Sequence, residues 1–219
     1  MIKVAIVDDH NILRESLTHL INSYDNIEVV ITAENGREFL EKLSETVTEI
    51  VLLDLQMPIM DGYKTCEILH RDYPEIKVLV LSHLNGIADI KRMMGLGAHG
   101  YFTKNAGALE LREAIIKLNS NGFFFEKKLE AVIQQIRRHP VANYTVEKPV
   151  LISEREIEII KMVANAMSSK QVADILNIST RTVETHKQNL IERTGSKNFI
   201  NVIFYALSHE IISFQDIET

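Results

Sequence analysis

The strongest constraint on the fold is an alternation that runs through the first 120 residues. Short β-branched runs at 3–7, 27–32, 50–53, 77–81 and 100–103 are separated by longer stretches whose apolar residues recur every three or four positions. In 11–21, for example, Ile12, Leu13, Leu17, Leu20 and Ile21 share one helical face. The spacing predicts five βα units. Ile50, Val51, Leu52 and Leu53 are apolar on both strand faces, as a parallel sheet covered by helices on each side requires. An open, doubly wound, five-stranded parallel sheet follows for residues 1–120. From 121 to 149 the pattern weakens to one amphipathic helix carrying Leu129, Val132, Ile133 and Ile136, then polar chain closed by Lys148 and Pro149, which reads as a linker. Residues 150–219 are all-α, with four short helices expected at 154–167, 169–176, 180–194 and 198–212. Ser153 and Glu156 have capping-box spacing, so the first helix carries its own start signal.

Composition excludes several classes. No apolar run approaches the ~20 residues that cross a bilayer, and Met1-Ile2-Lys3 enters a β-like run rather than a secretion signal. A cytoplasmic protein without a membrane partner is expected. The single cysteine, Cys66, has no second thiol for a disulfide or a zinc pair, and is expected as a core or half-buried thiol. Counting Lys+Arg minus Asp+Glu, residues 1–120 give 12 − 18 = −6, 121–149 give 5 − 3 = +2, and 150–219 give 7 − 9 = −2. Any DNA contact by the last segment must therefore rest on a local basic face rather than on bulk charge.

In an open parallel sheet, reactive groups collect where strands end in loops at the carboxyl edge. Asp8 and Asp9 follow the first strand, Asp54 the third, Ser82 the fourth and Lys104 the fifth. Three converging carboxylates repel one another and call for a divalent cation, and an all-oxygen donor set suits Mg²⁺. A carboxylate beside such an ion can attack phosphorus, while an ammonium and a hydroxyl take up charge on the phosphoryl oxygens. Asp54 is the expected nucleophile, with Lys104 and Ser82 as its oxygen partners. Taken singly, an Asp-Asp pair, a strand-end Ser or Lys, and the turn Met57-Pro58-Ile59-Met60-Asp61-Gly62 are ordinary features; together, in this strand order, they point to a phosphoryl site.

The runs "VDDH", "LLDLQMPIMDG", "LSH" and "GYFTKN" resemble, in order, the motifs of the receiver domains of two-component response regulators. The resemblance implies a flavodoxin-like fold and transfer of a phosphoryl group to Asp54 from a phosphohistidine of a sensor histidine kinase. Mg²⁺ would be held by Asp8, Asp9, Asp54 and the backbone carbonyl of Gln56. It also implies that Tyr101 is a switch residue, turning inward as Ser82 moves toward the phosphoryl oxygens. Beyond self-phosphorylation from a phosphodonor and slow autodephosphorylation, no enzymatic activity is implied. Asn105 stands where many receivers have proline.

In the last segment, 169–176, a three-residue connection and 180–194 have the layout of a helix-turn-helix. Spacing puts Val183, Leu190 and His186 toward the core and Arg181, Glu184, Thr185, Lys187 and Gln188 outward. From spacing alone, a DNA reader and a four-helix packing module that touches no nucleic acid fit equally well; as a function, the alternative is a phosphorylation-tuned protein-interaction module without direct DNA binding. The run "LISEREIEIIKMVANAMSSKQVADILNISTRTVETHKQNLIERTG" looks like the LuxR-type helix-turn-helix, and a receiver joined to that module resembles the NarL/FixJ class. That likeness implies base-reading positions at Glu184, Thr185 and Gln188, with Arg181, Lys187 and Lys197 nearer the phosphates. It makes 198–212 the helix on which the DNA-bound homodimer, formed on phosphorylation, pairs; Phe199, Val202, Ile203, Ala206 and His209 are the candidates there, although most apolar positions on a terminal helix are core. Double-stranded DNA is the implied partner, with RNA polymerase a further candidate. Ala166 replaces a usual glycine, and Phe199 stands where a polar or basic residue is common.

Overall fold

The computed structural model describes residues 1–82, 92–93, 95–104, 107–125, 150–165, 167–213 and 216. The chain divides into two compact units, Met1–Phe125 and Glu126–Thr219. The amphipathic helix expected within 121–149 lies outside the described residues, as do Asn105 and Ala166.

In the first unit, β1 (Ile2–Val7), α1 (Asn11–Asn22), β2 (Ile27–Ala33), α2 (Gly36–Leu43), β3 (Ile50–Asp54), α3 (Gly62–Asp72), β4 (Lys77–Ser82), β5 (Gly100–Thr103) and α4 (Ala108–Asn121) follow one another, and a two-residue β6 (Phe124–Phe125) closes the series. The sheet order is β2-β1-β3-β4-β5-β6, and every pairing is parallel. All five expected strands are present; β6, too short to show a period in the sequence, adds one edge strand beside β5.

Parallel strands can be this apolar because both faces are covered. Val4, Ile6, Leu52, Leu79, Leu81 and Phe102 pack with Leu111, Ala114, Ile115 and Leu118 of α4 and with Ile21 of α1. The alternate residues Ala5, Val7, Val51, Leu53 and Val80 are equally buried, as are Phe39 and Leu43 of α2 and Cys66 and Leu69 of α3. This two-sided cover forces the polar ends of the strands to the edge, where the loops begin.

The second unit contains α5 (Glu154–Ala164), α6 (Ser169–Leu176), α7 (Thr180–Thr194) and α8 (Phe199–Ser208). Each starts on a side chain that accepts from an early helical amide: Ser153, Ser168, Ser179 and Asn198. Between α6 and α7 the chain turns at Asn177, in the left-handed region at φ 53°, which Asn tolerates better than most residues. α5 stops three residues earlier than its apolar spacing suggests, because the Asn165 amide donates to the Lys161 and Asp216 carbonyls. α8 ends at Ser208 rather than 212, where Glu210 enters the left-handed region at φ 59° and the Ile211 amide returns to the Ala206 carbonyl.

Phe199, Val202, Ile203 and Ala206 are buried within α8, whose described side chains are all buried, which favours core over a pairing surface for them. Only His209, just past the helix, is exposed, and its ring stacks on Tyr205 at 4.0 Å between centroids. Among the described residues no helix is long and apolar enough to cross a membrane.

Candidate functional site

The parallel register delivers the strand ends to a single edge. Val7 pairs with Leu53, so Asp8 and Asp54 leave adjacent strands side by side; Asp54 pairs with Leu81, and Ser82 with Thr103, one residue before Lys104. Asp8, Asp54, Ser82 and the Lys104 side chain are all buried. The Lys104 ammonium lies 2.6 Å from Asp8 Oδ2 and 2.9 Å from Asp54 Oδ1, while its backbone N–H donates to the Ser82 carbonyl at 3.0 Å. Strands 1, 3, 4 and 5 are thus tied together at their polar ends by one side chain and its own amide.

Donor atoms of Asp8, Asp9, His10 and Asp54 lie within 4.8 Å of one another. Asp9 is exposed and Gln56, two residues past Asp54, is exposed in the loop. Three carboxylates against one ammonium leave two negative charges, which a divalent cation would balance. The donor set therefore fits Mg²⁺, with carboxylate oxygens from two strand ends supplying the hard ligands it prefers.

Burial pushes the Asp54 carboxyl above its ordinary value, with Asp8 adding to the rise while Lys104 opposes it. Burial also works against the Lys104 ammonium, but its hydrogen bonds to Asp8 and Asp54 prevail and hold it above the usual lysine value. Asp54 is therefore a poorly solvated carboxylate held beside a firmly charged cation.

The surrounding loops explain how the edge is kept in place. Gly62 donates to the Leu55 carbonyl at 3.0 Å, and a Cβ there would sit 2.1 Å from the Asp54 carbonyl oxygen and 2.8 Å from Leu55 Cα. Only glycine lets α3 start so close to the end of β3. Asp61 caps α3 by accepting from the Lys64 amide. Ile59, at φ 66°, is a β-branched residue in the left-handed region and marks the tightest point of this turn.

Two residues of the site escaped the sequence reading. The buried Arg14 donates to the Asp8 carbonyl at 2.6 Å and to Asn11 and Glu34, fixing the backbone that carries the Asp pair. His10 Nδ1 stands 2.8 Å from Asp9 and 3.1 Å from Asp8. His10 was visible in "VDDH" but nothing in spacing tells where its ring turns; Arg14 has only its helical position, one turn after the strand end. Tyr101, expected as a switch, is fully buried in β5.

In the helical unit, Arg181, Glu184, Thr185 and Gln188 are exposed on α7, and Lys197 is exposed beyond it. Lys187, expected outward, is only 15% exposed: its ammonium lies 3.1 Å from Glu184 Oε1 and 3.2 Å from Ser169 Oγ, 5.5 Å from the centre of the Phe199 ring. Arg193 pairs with the buried Glu156 at 2.8 Å, fastening α7 to the start of α5.

Residues 4–116 match the response regulator receiver domain family, and residues 150–206 match the luxR family of bacterial regulatory proteins. The transcriptional regulatory protein LnrK of Bacillus subtilis is 30% identical over 220 residues, covering 98% of this chain and all of LnrK. The response regulator protein VraR of Staphylococcus aureus is 28% identical over 211 residues, covering 96% of this chain and 99% of VraR. A solved complex of the response regulator RcsB with DNA shares the fold at 21% identity, with a TM-score of 0.58 over 94% of this chain and 98% of that one. The acidic edge of the sheet and the helix-turn-helix are thus the two halves of one signalling design, and the chain belongs to the DNA-binding response regulators of the NarL/FixJ class, a receiver domain joined to a LuxR-type domain.

Proposed function

We propose that Asp54 is the phosphoacceptor and that its phosphorylation by a sensor histidine kinase controls dimerisation and transcriptional output. The observation that carries this reading is the Lys104 ammonium bridging the buried carboxylates of Asp8 and Asp54 at 2.6 and 2.9 Å. In the transfer, an Asp54 carboxylate oxygen forms a bond to phosphorus as the phosphorus–nitrogen bond of the phosphohistidine breaks, its electron pair returning to the imidazole. Lys104 then trades one carboxylate contact for a phosphoryl oxygen, and the Ser82 hydroxyl donates to another. A Mg²⁺ held by Asp8, Asp9, Asp54 and the Gln56 carbonyl would supply the positive charge that lets anionic donor and acceptor approach. Slow loss of the group to water is the reverse signal.

The added charge, about −1.5 to −2 near neutral pH, sits at the end of β3, beside β4 and one strand away from β5. Ser82 and Tyr101, on those two strands, are the residues through which the change would reach the outer face of the sheet. The DNA-reading set is Arg181, Glu184, Thr185, Gln188 and Lys197, on and just beyond the second helix of the helix-turn-helix, with Lys187 beside them held by Glu184 and Ser169. A cytoplasmic homodimer that meets RNA polymerase at a promoter completes the reading.

Incubating the chain with Mg²⁺ and a small acyl phosphate should label the wild type and not Asp54→Asn. Equal labelling of the two removes Asp54 as the acceptor. A dimer whose formation requires the phosphodonor, seen by size-exclusion chromatography with light scattering, tests the output.

A further inference from the structure

We infer that Glu184 reads a cytosine in the major groove and that Ser169 and Lys187 are positioning residues that aim its carboxylate, so that Lys187 is not a phosphate anchor. The inference rests on the DNA-binding reading and assigns three side chains within it.

The geometry begins with an oddity of charge. An acidic residue in the exposed face of α7 faces phosphates it repels, unless it meets a base-edge donor. Adenine and cytosine each present an amine donor in the major groove, but adenine's lies beside the N7 acceptor, which repels a carboxylate, so the cytosine amine is the better match. Glu184 is exposed, but its carboxylate is not loose. One oxygen, Oε1, accepts from the Ser169 hydroxyl in the first turn of α6 and from the Lys187 ammonium one turn on, and that ammonium also reaches Ser169 at 3.2 Å. Both contacts fall on Oε1, and with the Glu184 side chain 54% exposed the second oxygen, Oε2, can accept from a donor outside the unit. Three side chains thus form a closed triangle linking the two helices of the helix-turn-helix.

Lys187 is drawn into that triangle from beneath as well. Its ammonium lies over the Phe199 ring, at the position where the family commonly has a polar or basic residue. A cation over an aromatic face is held by the ring's negative face, and the side chain is 15% exposed. A phosphate anchor needs a long, solvated side chain free to swing outward; Lys187 is committed on both sides.

The other cations among the described residues of the unit sort the same way. Arg155 pairs with Glu158, Lys161 with Asp216 and Arg193 with Glu156. Lys170, Arg181 and Lys197 are exposed and make no ion pair among the described residues. With these three as the phosphate contacts, a dimer neutralises about six phosphates and log K should fall with log salt at a slope of roughly −5; counting Lys187 would steepen it to roughly −7.

The test uses the full chain with Mg²⁺ and an acyl phosphate, and a pool of random 30-base-pair duplexes from which bound fragments are enriched. The expected wild-type result is a fixed C·G pair at one position of each half-site. Glu184→Ala should lose that preference roughly tenfold and no other. Lys187→Met and Ser169→Ala should blur the same position while leaving the salt slope unchanged, and Lys187→Arg should restore it. A slope made shallower by about 1 per domain in Lys187→Met, with the base preference intact, makes Lys187 a phosphate contact and overturns the inference. So does a wild-type site with no position that depends on Glu184. A wild type that enriches no duplex at any salt overturns the DNA reading itself, and is told apart because then every variant behaves alike.

Discussion

Replacing Lys104 by methionine removes a cation that bridges two buried carboxylates while keeping much of the side chain's bulk. Asp8 is fully buried and Asp54 nearly so, and the ammonium touches both. Deleting one partner of a buried pair typically costs about 3–5 kcal/mol because the survivor is left uncompensated. Here the cost has a ceiling, since a carboxyl escapes by binding a proton. Raising Asp54 from its ordinary 3.8 to a neutral buffer is about 3 pH units, or about 4 kcal/mol. The expected loss is therefore about 3–4 kcal/mol near pH 7 in chelator, read as faster native-state hydrogen exchange at the amides of β1 and β3. The sign follows from proton uptake. The variant's native state binds a proton that the unfolded chain releases above its ordinary value, so the deficit shrinks as pH falls toward 4 and is fully present at neutral pH. Mg²⁺ should also rescue the variant more than the wild type, because the uncompensated charge rises from two to three. Exchange within about 1 kcal/mol of wild type in chelator at neutral pH would refute the reasoning, since the bridge would then contribute no more than a surface pair.

Four further outcomes follow from particular residues. Ile59→Asn should raise stability by about 1 kcal/mol in urea unfolding, because Ile59 is 76% exposed and held at φ 66°, where a β-branched side chain is strained; no gain would mean the turn relaxes at no cost. Gly62→Ala should cost at least about 2 kcal/mol and abolish acyl phosphate labelling, since the new Cβ meets the Asp54 carbonyl oxygen at 2.1 Å. His99 should impose an acid-side loss of stability: burial first, then Lys77 and His70, lower it from 6.5 to about 4, so the unfolded chain binds a proton that the native state refuses. Stability should fall between those two pH values by at most about 3 kcal/mol and level off below, a step that His99→Asn, which keeps an acceptor for the Val78 amide, should flatten. Glu156→Gln should weaken both the α5 cap and the Arg193 tie to α7, lowering the thermal midpoint while leaving acyl phosphate labelling of the other unit unchanged.

The receiver half was legible because its chemistry depends on strand ends, and strand ends are what hydrophobic alternation reveals. Once β1, β3, β4 and β5 are parallel and adjacent, Asp8, Asp54, Ser82 and Lys104 have nowhere else to go. What alternation does not carry is side-chain direction after the strand stops. Arg14 could have pointed to solvent from the same helical position, yet it turns under the Asp8 carbonyl. The His10 ring could have faced away from the carboxylates. The positive φ of Ile59 has no propensity signal at all, since isoleucine is among the residues least expected there; the fold overrides the local preference to bring Gly62 beneath Asp54.

The helical half shows where spacing misleads. A period of 3.6 places Lys187 on the flank of α7, from which a four-carbon stem can swing either way, and the choice is made by Ser169 and Phe199, neighbours 18 and 12 residues distant in the chain. The run Phe199–Ser208, FINVIFYALS, is apolar on every side, so periodicity offers no face by which to tell core from interface. A helix of that kind has to be covered all round, and its described side chains are. Truncating Val202 or Ile203 should therefore cost about 1–3 kcal/mol of folding stability at any protein concentration. If the loss were instead seen only in the phosphorylated dimer, with monomer stability unchanged, α8 would be a pairing surface after all, because a core residue cannot be removed without the monomer registering it.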